Sequence, residues 1–261
     1  MLFSRQSLVT PLVFCFCILV VSLIQKPRLK ELLISQQDIP LETLEKNIKA
    51  ENLRLDLLKK MPTFGFDNFV ASWEYLNFLQ YFGDNEARDK TSYSLSPEYF
   101  EVILKHDPRF LAAYLGLSTS TSLYAGMPER SITLMDNGLK SLTPFVPKNS
   151  YYVWRYKGTD ELLFLGDTKA AKESFTQAAN WANNYPDEES KFAALVSQRT
   201  AEFLERNPDS KFARISTWSM VLGNKIDEKT RKRAIREIEM LGGQVIVNPD
   251  GSQRIVFPQK D

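Results

Sequence analysis

From Leu41 onward, apolar residues recur at spacings of three and four, and the pattern is cut at intervals by glycine, proline or an Asp-Pro or Asn-Pro pair. Such a pattern predicts short amphipathic helices in series. Leu41, Leu44, Ile48, Leu55 and Leu58 predict a helix from 41 to 60, interrupted at Glu51 and stopped by Met61-Pro62. Fewer than three clean heptads are present, so this helix is expected to pack on its successors rather than form a coiled coil. Asp67 to Phe82 predicts a second helix, with Asp67 placed to cap its first turn. Phe69, Trp73, Leu76, Leu79 and Phe82 form one apolar row, and Tyr75, Phe78 and Tyr81 a second beside it. A helix apolar over that much of its circumference is expected to be buried on two sides. Asn85 to Tyr93 reads as a polar connection.

Ser96-Pro97-Glu98 opens the next helix, with proline at the first helical position, where its missing N–H costs nothing. Tyr99, Phe100, Ile103 and Leu104 are its expected inward face, and Asp107-Pro108 closes it. Further helices follow over 110–125, 128–142, 150–165, 167–184, 188–205, 210–222 and 227–241. The tail changes period: Gln244 to Val247 and Arg254 to Phe257 flank Asn248-Pro249-Asp250-Gly251, which predicts a β-hairpin closed by a type I turn. A lone hairpin is barely stable in water, so it is expected to dock on the last helices.

The N-terminus has a different character. Ser7 to Ile24 carries no charge and is dominated by Leu, Val, Phe, Cys and Ile. At about 1.5 Å per residue it covers roughly 27 Å, enough to cross a hydrocarbon core. Arg5 precedes it, and Lys26, Arg28 and Lys30 follow it. The heavier basic flank after the span places the following chain on the cytoplasmic side, by a narrow margin. A cleaved secretory signal is the alternative, which would leave the rest secreted or periplasmic. The domains expected are thus an anchor or signal over 1–26, a helical linker over 27–62, a helical-repeat domain over 63–241 and the hairpin over 242–261.

Charge and rare residues narrow the chemistry. The 261 residues carry a formal net charge of +1, which argues against nucleic acid as a partner. Both cysteines lie within the uncharged stretch, and His106 is the single histidine, expected at a helix C-terminus as a cap. No Cys/His nucleophile pair, soft-metal cluster or glycine-rich phosphate loop is present, so an enzyme is not expected, nor a cofactor or metal.

Two places carry a resemblance. Leu115-Gly116 follows Asp107-Pro108 and the start of a helix, and Gly166-Asp167 is followed by Ala171, Phe175 and Ala178. In this the chain resembles tetratricopeptide-repeat proteins, and in general layout it also looks like the membrane-anchored TPR-like proteins common in cyanobacteria. The resemblance covers about 67–184 and drifts elsewhere: the 188–241 helices lack the signature. It implies an all-α fold, a TPR-like α-solenoid of antiparallel helix pairs, here with an N-terminal transmembrane helix and a small C-terminal β-hairpin. It also implies a concave face, lined by the first helix of each pair, on which protein or peptide clients bind.

Tyr152, Arg155, Tyr156 and Thr159 share one side of such a helix, where Arg155 would hold a carboxylate and the tyrosines supply rigid contact area. Packing of those tyrosines on the preceding repeat is the alternative. The run Ser118 to Ser122 consists of poor helix formers. Either a neighbour crosses closely there, or hydroxyls such as those of Ser118 and Ser122 line a groove. Lys225, Lys229, Arg231, Lys232, Arg233 and Arg236 make helix 225–236 basic, either as a solvated face or as a contact for anionic lipid. Together these features predict a membrane-tethered scaffold or assembly factor, with a permanent structural subunit of a larger membrane complex as the alternative.

Overall fold

The computed structural model describes residues 13–26, 40–223, 228–247 and 253–260. The chain divides into two compact units, Met1–Asn47 and Ile48–Asp261. In the first, α1 (13–26) exposes its large apolar side chains, among them Phe14, Phe16 and Leu23. Among the described residues no helix is long and apolar enough to cross a membrane. The expected span over 7–24 is described only from residue 13, and most of the expected linker, 27–39, also lies outside the described residues.

Among the described residues the second unit is all-α apart from one two-stranded sheet. After α2 (Leu41–Leu58), which begins in the first unit, come α3 (Asp67–Gly83), α4 (Asn85–Thr91), α5 (Ser96–His106) and α6 (Leu111–Leu117). The chain then loosens into a π-helical segment, π1 (Ser118–Tyr124), before α7 (Pro128–Leu139) and α8 (Tyr151–Asp160). A second such segment, π2 (Glu161–Leu165), leads to α9 (Thr168–Ala182), α10 (Glu188–Arg206), α11 (Lys211–Gly223) and α12 (Glu228–Met240). β1 (Gln244–Val247) and β2 (Gln253–Val256) pair antiparallel, with Val245 opposite Ile255. Both of these side chains pack against Ile215, Trp218 and Ile238, so the hairpin lies on α11 and α12. Its turn falls outside the described residues.

Helices pack chiefly on their neighbours in sequence, α7 through α10 in succession and α11 on α12. The apolar interior is therefore a chain of clusters rather than one core. Phe78, Phe100, Ile103, Tyr114, Leu117 and Met135 form the largest. Within it Phe78 meets Phe100 edge to face at 4.5 Å. Where helices approach most closely the small residues of the repeat-like motif do the spacing. A Cβ on Gly116 would stand 3.0 Å from the Phe100 ring, and one on Gly158 would stand 3.2 Å from Phe175, the aromatic between buried Ala171 and Ala178.

Gly138 is tighter still: a Cβ there would fall 1.9 Å from the Tyr114 hydroxyl, which donates to Pro108 O at 2.6 Å. Since Tyr114 is fully buried, its ring has nowhere to retreat. Gly138→Ala is expected to destabilise the fold by about 2 kcal/mol through overpacking. The measurement is the urea midpoint; a shift worth less than about 0.5 kcal/mol, the range of ordinary surface changes, would count against this packing.

Several expectations are corrected by these contacts. Asp67 does not cap α3; it accepts from Thr63 Oγ1 and lies 3.0 Å from His106 Nδ1. His106 does lie in the last turn of α5, as expected, and its nearly buried ring also reaches Leu58 O, joining α2, α3 and α5. The stretch 85–91, expected as a polar connection, is a helix because Asp84 accepts from Ala87 N and caps it.

The largest correction concerns α3. Its row Phe69, Trp73, Leu76 and Leu79 is exposed, and the helix buries Ala71, Glu74 and Phe78 instead. Glu74 is drawn inward by Arg54, whose guanidinium donates to both its carboxylate oxygens at 2.8 and 2.6 Å. Glu51 accepts from the same Arg54 and from the Tyr99 hydroxyl. Burial acts to raise Glu51, yet Arg54 and Tyr99 hold its carboxyl below the usual range.

Candidate functional site

α8 places Tyr151 in the interior and leaves Tyr152, Arg155, Tyr156 and Thr159 half-buried; Tyr152 and Arg155 meet α10, whereas Tyr156 packs against the preceding cluster of Phe78, Phe100 and Met135. Of the four expected residues, Tyr152 and Arg155 are thus brought together against α10. Tyr152 Oη donates to Glu189 at 2.8 Å, and its ring stacks on Tyr156 at 6.1 Å between centroids. Burial, then the Glu189 carboxylate, raises the Tyr152 hydroxyl well above its ordinary value, so it stays a donor at neutral pH.

Arg155 is committed within the chain: Nη1 donates to Ala193 O at 3.2 Å and to Ser197 Oγ at 3.0 Å. Its planar fork holds α10 against α8 and leaves the remaining N–H groups for other acceptors. One turn beyond Glu189, α10 exposes Phe192, followed by Leu195. Ser190, Ala193, Ala194 and Ser197 form the buried side of α10, so Phe192 and Leu195 stand outward from it.

Ser118 and Ser122 have a different place. Both donate to the carboxylate of Asp160, at 2.7 and 2.5 Å, and Ser131 of α7 adds a third bond at 3.0 Å. Ser122, Ser131 and Asp160 are fully buried. The residues of the serine run four apart share one side of the helix and form a hydroxyl cradle for an interior acid. The following residue, Glu161, accepts from Ser174 Oγ at 2.7 Å and pairs with Lys157, which also holds Asp136. Burial pushes the Asp160 carboxyl up to about 7 against the pull of the three serines. Burial likewise raises Glu161, opposed by Ser174 and Lys157. The segments π1 and π2 adjoin this cluster, and the Oγ atoms of Ser120 and Thr121 are buried without a hydrogen-bond partner. Spacing alone singled out the serines but not Asp160, which lies 42 residues from Ser118.

The basic helix divides its charges. Lys225 lies outside the described residues. Arg231 faces Glu228 at 3.6 Å. Arg233 turns inward, donates to Leu123 O at 2.8 Å, and sets its guanidinium over the rings of Phe164 and Trp218. Lys232 and Arg236 line an open cleft of about 820 Å³ with Asn85, Asp89 and Glu228. Mixed signs around that cleft make it no selective anion site. No family profile, curated protein or solved structure matches this chain.

Proposed function

We propose that this chain is a membrane-tethered scaffold or assembly factor that binds partner proteins on a helical-repeat surface, as a TPR-like α-solenoid does. The observation that carries the reading is the exposed pair Phe192 and Leu195 on α10, the helix to which Tyr152 and Arg155 of α8 are hydrogen-bonded. Aromatic anchors beside a few fixed polar groups are the composition of protein-binding hot spots. The uncharged stretch 7–24 supports the tether, and holding the face near a bilayer raises the local concentration of membrane clients. Ser118 and Ser122, spent on Asp160, serve the interior rather than this surface.

A photo-crosslinking side chain placed at Phe192 should capture a defined client in native membranes, and the same group at exposed Glu129 of α7 should not. Leu195→Ser in the chain that carries the photo-crosslinking group at 192 should reduce that capture at least about tenfold, the loss of one modest hot spot, with unchanged helicity. Equal capture from both positions would remove the proposed face. A permanent structural subunit is distinguished by co-purification of stoichiometric partners through detergent extraction and gel filtration.

A further inference from the structure

The turn between α2 and α3 and the outward side of α3 form an apolar edge that no part of the described chain covers. Phe64 is 87% exposed, Phe66 and Phe69 about as much as each other at 67% and 66%, and Trp73 and Leu76 are more than half exposed. The Trp73 and Phe69 rings stack at 6.3 Å, so the edge presents a flat aromatic platform. Phe64 sits at φ 52°, a left-handed conformation that a phenylalanine rarely adopts. An exposed apolar area of this kind marks an interaction surface.

Its charge pattern names the occupant. From Met61 to Gly83 the chain carries two charged side chains, Asp67 and Glu74. Glu74 is buried against Arg54, and Asp67 is held by Thr63 and His106. A protein partner is ordinarily received by a polar rim with hydrogen-bonding groups, whereas here the exposed polar residues of α3 are only Asn68, Ser72 and Gln80. Tryptophan and phenylalanine whose one half-exposed carboxylate, Asp67, is tied to Thr63 and His106 suit the headgroup–acyl boundary of a bilayer. Reach is sufficient: the thirteen residues 27–39 between α1 and Pro40 extend to at most roughly 45 Å, so a chain held through 7–24 can bring this edge to the same bilayer.

We infer that the α2–α3 edge is a lipid-surface contact, with Phe64, Phe66, Phe69 and Trp73 lying in the interface. The inference rests on the tether reading for its bilayer, but the contact is measured separately. The full chain is reconstituted into phosphatidylcholine–phosphatidylglycerol vesicles carrying bromine near the headgroup end of the acyl chains. Trp73 is one of four tryptophans, and Trp218 is buried in the interior. Bromolipid quenching is expected in the wild type and should fall by more than half in Trp73→Phe and in Phe64→Ser combined with Phe66→Ser. Both variants alter exposed side chains, and circular dichroism checks that helicity is retained.

Vesicle association with the same quenching in Trp73→Phe as in the wild type would overturn the lipid contact and leave the tether standing. Failure of the full chain to associate with vesicles would overturn the tether reading. A concentration-dependent dimer lost in Trp73→Phe, without quenching, would assign the edge to a second copy and overturn the lipid contact.

Discussion

Raising the pH from 5 to 8 is expected to destabilise this protein, and Asp160→Asn is expected to remove most of that loss. Burial lifts the Asp160 carboxyl from 3.8 to about 7, so between those values the folded chain holds a proton that the unfolded chain has released. Stability therefore falls as pH rises through this window and levels off above about 7. A shift of that size corresponds to about 4 kcal/mol across the whole window. Glu161, raised in the same direction, adds a slope of the same sign, tempered by Lys157, which faces it together with Asp136. In Asp160→Asn the side chain keeps its volume, and the hydroxyls of Ser118, Ser122 and Ser131 can turn to accept from the amide. The check is the urea midpoint of both proteins at pH 5, 6.5 and 8. Parallel profiles would mean that Asp160 does not titrate in the fold.

The second large effect is expected at Arg54. Arg54→Leu leaves Glu74, 1% exposed, without its two guanidinium bonds. Removing the counter-charge of a buried carboxylate costs about 3 kcal/mol; the lower end of the usual range applies because Arg54 is itself 37% exposed and Asn77 Nδ2 still donates to Glu74 at 3.2 Å. For a chain of this size that lowers Tm by roughly 10 °C. Adding Glu74→Leu should recover most of the loss, since Glu51 is open enough to be solvated and keeps Tyr99 as a donor. The double-mutant cycle separates the coupling from packing effects. A double variant no more stable than Arg54→Leu would show that the pair contributes through apolar contact of the arginine stem instead.

These two sites also show why part of the structure was legible in the amino-acid order and part was not. Local punctuation carried the helix boundaries: Ser96-Pro97-Glu98 and Asp107 bracket α5 as expected, and Gly166-Asp167 separates π2 from α9, with the Asp167 carboxylate accepting from Ala170 N. Periodicity also placed Tyr99, Phe100, Ile103 and Leu104 in the interior. What periodicity could not give is which side of an apolar helix faces inward. In α3 both rows are apolar, so the choice fell to Glu74, an acid that would ordinarily be assigned to water, and its partner 20 residues away. Burying Phe78 and Glu74 turned Phe69, Trp73 and Leu76 outward, and this exposed edge is the one proposed to meet lipid. The same limit hid Asp160, because a carboxylate on α8 and hydroxyls on π1 and α7 share no local pattern. At the α8–α10 face the residues on α8 were legible as one side of a helix. The commitment of Arg155 to Ala193 and Ser197 was not, since it depends on how α10 is laid against α8.

Arg233 has a consequence for how the chain is made. Its guanidinium closes on Leu123 O, 110 residues upstream, and with Trp218 it covers Phe164. While the polypeptide is being synthesised, the ends of π1 and π2 stay open to solvent until α12 has cleared the ribosome. The nascent chain thus shows apolar surface in its middle until α12 has emerged to cover it.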